Sequence, residues 1–277
     1  MKKLYAGPWV GEFGWEIASW SPSIRHIAKD YDHVIVETQP DSEYLYEFAD
    51  EIIINPHLPD FDMYSGKVSK PAFQPPAGTR SITPMWFWKA HAKKEFKAIK
   101  VADKVDGIHP KEWRKLGSER PKHVADIMCA FRGPKKYRKR SYPEKEYPRD
   151  KCEGLVKRLL DAGYSVACYG GTDNVYIEGT VDFRGVGLGD LCGALSAAKV
   201  AIGPSSGTLH LASACGTPHV SWYGRPVVSM ERYLSYWNPF NTPVTFIDVP
   251  TPNVDLSFNS CVARMNPETP IKHWTKT

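Results

Sequence analysis

Two Rossmann-like α/β halves in tandem, facing each other across a cleft, are predicted by three features of the sequence. Short apolar runs rich in β-branched residues alternate with runs of helical spacing in both halves. Glycine-rich loops follow the strands "KKLYAG", "YSVACYGG" and "KVAIG". The 277 residues also suffice for two α/β domains of roughly 100–150 residues each. The division falls at residues 1–120 and 121–277. In such folds ligands bind at the C-terminal edges of the parallel strands.

In the first half, "KKLYAG" has strand character and runs into the loop "PWVGEFG". "WEIASWSPSIRHIAKDY" has helical spacing despite Pro22, "HVIVETQP" is a second strand, "DSEYLYEFA" a short helix and "EIIIN" a third strand. Residues 57–85 read as irregular loop, "PMWFWKAHAKKEFKAI" as a helix, and 105–122 as a connector. The pattern then restarts. "HVADIMCAF" is a strand, "RDKCEGLVKRLLDAG" a helix closed by Gly163, "YSVACYGG" a strand, "LGDLCGALSAA" a helix, "KVAIG" a strand, "SGTLHLASACG" a helix and "PHVSWYG" a strand. Residues 237–254 read as Pro-rich coil, and "PETPIKHW" as a last short helix.

Composition narrows the chemistry. No apolar run approaches the ~20 residues that span a bilayer, and the start lacks the apolar stretch of a signal peptide, so a cytoplasmic protein is expected, without an integral membrane segment. Six cysteines, at 129, 152, 168, 192, 215 and 261, show neither CxxC spacing nor clustering with histidine. That argues against a zinc site and a disulfide framework and makes them small buried hydrophobes; no metal and no cofactor is expected. The net charge of +5 is concentrated in "FRGPKKYRKRSYPEKEYPR", residues 131–149, and "KAHAKKEFKAIK", residues 89–100. These runs are either solvated faces or a surface that meets a polyanion.

The stretch "GPSSGTLHLASACGTP", residues 203–218, puts two hydroxyls and a glycine at the mouth of a helix. Helix starts carry unpaired N–H groups and the positive end of the macrodipole, so small residues there admit an anion to the amides. The stretch is either a phosphate seat or an ordinary Ser-capped βα turn.

With its flanks, this stretch carries a resemblance. "KEYPRDKCEGLVKRLLDAGYSVACYGG" followed by "GDLCGALSAAKVAIGPSSGTLHLASACGTPHVSWYG" resembles, over residues 125–225, the donor-binding domain of the heptosyltransferase family of GT-B glycosyltransferases. The resemblance implies a metal-independent, inverting transferase with two domains about a cleft. It makes Ser206, Gly207, Thr208 and His210 the nucleotide-sugar diphosphate seat, with Ser205 where the family carries aspartate. Lys145, in "KEYP", becomes a cation on the donor phosphates, and Arg132 a second candidate for that role. Gly170 and Gly171 let the nucleotide approach the backbone. In the first half the family's Gly-Asp pair has its counterpart in Gly11-Glu12, with Glu16 one turn on as rival. One of the two is the base that takes the acceptor proton. Either glutamate could instead serve only to favour the helix start electrostatically. Trp9 and Trp15 are candidates to stack on a sugar or base.

The implied partners are a nucleotide-sugar donor and a polyanionic acceptor, either a glycan such as lipopolysaccharide core or capsule, or hydroxymethylated DNA as in phage enzymes. Such an enzyme works in the cytoplasm, the glycan reading placing it at the inner face of a membrane. A nucleotide-sugar epimerase and a non-catalytic nucleotide binder share the same seat and are the other readings.

Overall fold

The computed structural model describes residues 1–9, 12–56, 76–82, 111–133, 136–137, 140–141, 145–223, 230–266 and 272–274. The chain forms two compact units, Met1–Arg114 and Lys115–Thr277. Each is built on a parallel α/β sheet.

In the first unit the strands β1 (Lys3–Ala6), β2 (His33–Thr38), β3 (Glu51–Ile54) and β4 (Arg80–Ile82) lie in the order β3-β2-β1-β4, all parallel. Between β1 and β2 runs α1, three consecutive helical stretches: Phe13–Trp15, a π-wound Glu16–Trp20, and Ser21–Ala28. Pro22 sits in the first turn of the third stretch. The wider π turns lead directly into it, which fits a residue with no N–H to close the usual α-helical bond. Leu4 and Tyr5 of β1, Trp20 and Ile24 of α1, and Tyr46 of a one-turn helix, Glu43–Tyr46, are buried and belong to the core of this unit.

One sequence expectation fails here. Residues 80–82, read as irregular, form β4 and pair with β1 from Leu4↔Arg80 to Ala6↔Ile82. Three residues are too few to show strand alternation, and β1 supplies the pairing that the local sequence does not advertise. The helix expected at "PMWFWKAHAKKEFKAI" lies outside the described residues.

The second unit has a seven-stranded sheet of β5 (Ile127–Cys129), β8 (Val166–Gly170), β9 (Val181–Arg184), β10 (Val200–Pro204), β11 (His219–Trp222), β12 (Val244–Ile247) and β13 (Lys272–Trp274). Their order is β13-β12-β11-β10-β5-β8-β9, and every pairing is parallel. A small hairpin of β6 (Lys136–Tyr137) and β7 (Arg140–Ser141) lies apart from it. The helices are α2 (Arg149–Asp161), α3 (Leu188–Ala197), α4 (Gly207–Cys215), α5 (Met230–Trp237) and α6 (Val254–Arg264). The core includes Cys129, Phe131, Leu155, Cys168, Ile202, Val220 and Trp222, and all six cysteines are buried and free.

The coil expected at 237–254 is a second correction. β12 extends the sheet from His219↔Val244 to Trp222↔Ile247, and α6 starts just after, where Asn253 Oδ1 accepts the Leu256 N–H at 2.7 Å. The prolines that suggested coil flank these elements and punctuate them. The described part of "PETPIKHW" is strand β13, paired with β12, and not helix. Among the described residues no helix is long and apolar enough to cross a membrane.

Candidate active site

Each sheet has its own topological switch point, and each unit's candidate loop lies at the switch point of its own sheet. In the second unit the chain steps from β5 outward to β8 and β9, then returns to the other side of β5 with β10. The carboxyl ends of β5 and β10 therefore flank the topological switch point, where open α/β sheets bind ligands. Residues 130–133 follow β5 and residues 205–208 follow β10. The two ends are close: Ala130 N–H donates to the Ile202 carbonyl at 2.8 Å, and a Cβ on Gly203 would meet the Ala130 carbonyl oxygen at 2.7 Å. Only glycine permits that approach.

Ser206 is the N-cap of α4, in extended conformation, and its side chain makes no capping hydrogen bond. The hydroxyl thus leaves the first-turn amides of Gly207, Thr208 and Leu209 to another acceptor, the arrangement an anion uses. Ser206, Gly207 and Thr208 are partly exposed, whereas Ser205 is buried, with its N–H on the Trp222 carbonyl at 2.9 Å. His210 does not stand in the open seat. It is buried, stacked on Trp237 with centroids 4.5 Å apart, and its Nε2 lies 3.1 Å from Ser205 Oγ. Its link to the mouth of α4 is this contact with Ser205.

The loop after β8 joins the same group. Gly170 has φ of +119°, and a Cβ there would meet Asn174 Nδ2 at 2.1 Å and Thr208 Cγ2 at 3.1 Å. Asn174 holds the loop by donating to the Tyr169 carbonyl at 2.9 Å, and Tyr169 OH donates to the Thr208 carbonyl at 3.3 Å. Val175 N–H reaches the Phe131 carbonyl at 2.8 Å, which ties this loop to the one holding Arg132. The structure thus gathers Arg132, Gly170, Gly171, Ser205, Ser206, Gly207, Thr208 and His210 at one sheet edge. Lys145 lies beside it, its Nζ 5.4 Å from the ring centroid of Tyr223, the residue just after β11. Its neighbour Tyr147 is buried against Trp222, centroids 4.8 Å apart, and anchors "KEYP" to the sheet. Asn174 has no motif that would announce it; its role comes from the turn it closes.

In the first unit the switch point lies between β1 and β4, and the segment after β1 opens there. Gly7, at φ of +122°, presses against β2, where a Cβ would meet the Glu37 carbonyl oxygen at 2.2 Å. Glu12 is the N-cap of α1, half-buried, and its carbonyl accepts the Glu16 N–H at 3.2 Å, closing one turn. Glu16 is fully buried. Tyr46 OH donates to its Oε1 at 2.8 Å and Ser42 Oγ to its Oε2 at 3.2 Å. Burial pushes its carboxyl up to about 7, with the Tyr46 and Ser42 hydroxyls working in the opposite direction. A carboxyl that changes charge near neutral pH suits acid–base work. Trp9 is a core residue, 1% exposed and stacked on Trp20 with centroids 5.5 Å apart, so neither ring face is offered to a sugar. Its indole N–H donates to the Glu12 carbonyl at 3.3 Å, and Trp15 is half-buried on the same helix.

Among the described residues no group of three or more His, Cys, Asp or Glu side chains could hold a metal ion. Asp-x-Asp triplets, a carboxylate pairing that can hold a divalent cation, occur at 30–32 and 60–62. Asp32 sits before β2, at the opposite edge of the sheet from Glu12, and accepts the Lys2 N–H at 2.6 Å; the second triplet lies outside the described residues. So do the basic run at 89–100 and about a third of the run at 131–149.

No protein family and no curated protein matches the sequence. Solved structures do match. A glycosyl transferase of family 9 from Veillonella parvula superposes with a TM-score of 0.60 at 13% identity, covering 96% of this chain and 98% of that one. The E. coli ADP-heptose LPS heptosyltransferase II gives 0.54 at 15% identity, over 97% and 99%. The iron-containing dodecameric glycosyltransferase TibC of enterotoxigenic E. coli gives 0.50 at 18%, over 80% of this chain and 58% of that one. The α/β fold of this chain is that of the heptosyltransferase-like GT-B glycosyltransferases.

Proposed function

We propose that the protein is a glycosyltransferase that moves a sugar from a nucleotide-sugar donor to a hydroxyl of a glycan acceptor, with inversion and without a metal. One observation carries the reading: an uncapped helix N-terminus at the switch point of the second sheet, ringed by the glycine-lined ends of β5, β8 and β10. That arrangement suits a diphosphate, and the fold is shared with a protein named for ADP-heptose and lipopolysaccharide.

The chemistry divides between the two units. In the second, the amides of Gly207 and Thr208, the Ser206 hydroxyl and the Lys145 ammonium receive the diphosphate; Arg132 is the second cation. As the bond from the anomeric carbon to the diphosphate oxygen breaks, the electron pair leaves with the nucleoside diphosphate, and these donors stabilise the growing charge. In the first unit Glu12 is the base. Its carboxylate takes the proton of the acceptor hydroxyl while that oxygen forms the new bond to the anomeric carbon, on the face opposite the leaving group. Glu16 is sealed from solvent and acts from behind it. Lipopolysaccharide core or capsule is the acceptor class this reading favours, and no observation on the described residues favours DNA.

The test is a melting-temperature panel of nucleoside diphosphates and their sugars, ADP-heptose first, with and without EDTA. The expected result is a rise with one nucleotide that EDTA leaves unchanged, followed by transfer of labelled sugar to a core or capsule glycan. A panel with no shift for any base at saturation would remove the donor seat. Turnover of the nucleotide sugar alone would replace the transferase by an epimerase.

A further inference from the structure

The strand at the edge of the second sheet, β9, is tied to the loops of the donor seat. We propose that Asp182 and Arg184 of β9 are positioning residues of that seat: together they hold the loops after β5 and β8 in the arrangement that receives the nucleotide. This rests on the nucleotide seat proposed above.

Residues two apart on a strand share a face, and an Arg–Asp pair placed so on an edge strand is ordinarily a solvated ion pair that contributes little. This pair does more. Arg184 Nε and Nη2 fork onto the two oxygens of Asp182 at 2.7 and 2.8 Å, which fixes the plane of the guanidinium. The remaining nitrogen, Nη1, donates to the Asn174 carbonyl at 2.8 Å and to the Thr172 carbonyl at 3.4 Å, both in the loop after β8. The guanidinium also lies 5.2 Å from the ring centroid of Tyr176.

The Asn174 carbonyl matters most because of what the same peptide does at its other end. A trans peptide points its C=O and its N–H in opposite directions. With the Asn174 oxygen on Arg184, the Val175 N–H faces away from β9, and it donates to the Phe131 carbonyl at 2.8 Å. One peptide unit thus joins β9 to the loop after β5, whose next residue is Arg132. A cation on the oxygen polarises that peptide and strengthens the bond at its N–H. A second tie runs beside it: Gly185 N–H donates to the Gly170 carbonyl at 2.8 Å, and Gly170 lies so near α4 that a Cβ there would meet Thr208 Cγ2 at 3.1 Å. Both loops are therefore registered by the end of β9.

The experiment is calorimetric titration with ADP, GDP, UDP, CDP and dTDP of the wild type, Arg184→Ala, Arg132→Ala, the double variant and Arg184→Lys, at a temperature where melting curves show each of them folded. Arg184→Ala should weaken the nucleoside diphosphate that the wild type binds by about tenfold. Because Arg184 acts through the loop that holds Arg132, the double variant should lose less than the product of the two single losses. Loss of stability alone would not produce that coupling. Arg184→Lys should recover part of the affinity, since an ammonium keeps the charge but cannot fork onto Asp182 and reach the Asn174 carbonyl together. Asp182→Asn, which frees the fork and leaves Arg184 in place, carries the same test if Arg184→Ala does not fold. An unchanged dissociation constant in the folded variant, or losses that simply multiply in the double variant, overturns the inference and leaves the seat standing. Failure of the wild type to bind any of the five nucleotides removes the seat and the inference with it.

Discussion

The two units place their candidate loops at the same topological position and fill it with opposite chemistry. Beyond β10 the second unit offers backbone amides, small residues and a histidine that is buried and paired. Beyond β1 the first unit offers carboxyls, one at the helix mouth and one sealed below it with hydroxyls from the 42–46 turn. The supporting interiors differ in the same sense. Cys129, Cys152, Cys168 and Cys261 share the apolar core of the second unit, while the first unit buries Glu16 and also Glu37, which accepts from Tyr5 and from Asn55 Nδ2, the latter at 2.7 Å. Amides at a switch point suit an anion, and carboxyls there suit proton transfer. The comparison teaches that a shared fold position says where chemistry happens and the residues there say which chemistry.

The sharpest way to break the comparison is to separate binding from transfer. Glu12→Gln keeps the shape of the α1 start and removes only the carboxylate. Transfer should fall by about 10²–10⁴-fold while nucleotide affinity stays near wild type, because a base in the first unit acts on the acceptor. Calorimetry with the donor nucleotide and a transfer assay on the same preparation check both halves. Retained transfer would move the base elsewhere and dissolve the division of labour.

The amide side of this division was far more legible in the sequence than the carboxyl side. "KVAIGPSSGTLHLASACGTP" shows its strand, turn and helix through local spacing, and the structure returns them as β10 and α4. The acid loop was visible only as two glutamates, since nothing near residue 16 announces Tyr46 or Ser42, and a carboxyl's burial is a property of the packed unit. Trp9 illustrates the same limit: a tryptophan beside a glycine-rich loop reads equally as a stacking platform or as core, and Trp20, eleven residues on, decides it. β4 and β12 escaped notice because short strands beside prolines or glycines gain their stability from neighbours. The resemblance makes His210 a ligand of the seat, whereas its burial follows from Ser205 in the same βα turn and from stacking on Trp237 of α5, an element that no motif announces.

The next largest effect sharpens the contrast through pH. Burial holds Glu16 at about 7, above the ordinary 4.5, so the folded first unit binds the extra proton between those values. The stability tied to that proton is whole below about pH 4.5 and lost as pH rises through 7, a difference of roughly 3 kcal/mol. His219 in the second unit has the reverse sign. Its Nδ1 faces the Thr217 carbonyl at 2.9 Å and its Nε2 the Tyr233 hydroxyl at 2.8 Å, a pairing the neutral ring satisfies. Burial holds it down to about 4 from 6.5, so its contribution is whole above 6.5 and lost as pH falls through 4, again by roughly 3 kcal/mol. Denaturant unfolding across pH should show Glu16→Gln flattening the loss above pH 5 and His219→Gln flattening the loss below pH 6.5. A single shared transition with unchanged slopes in both variants would contradict this.

The smallest predicted effect concerns the one cation that "KEYP" brings to the amide side. Lys145 is half-buried, its ammonium over the Tyr223 ring and its backbone held by the buried Tyr147, so it is poised beside the end of β11 with a restricted set of positions. Lys145→Ala should weaken a nucleoside diphosphate by about 1–2 kcal/mol, and the matching monophosphate by less, because an exposed charge contact is screened and only the second phosphate would reach it. Lys145→Arg should recover part of the loss, since the charge is kept while the point donor becomes a planar fork. Calorimetric titrations with the two nucleotides at two salt concentrations test this directly. Equal losses for both would place Lys145 on the first phosphate or the base, and no loss for either would leave it a lysine that packs on Tyr223, with Arg132 the cation of the seat.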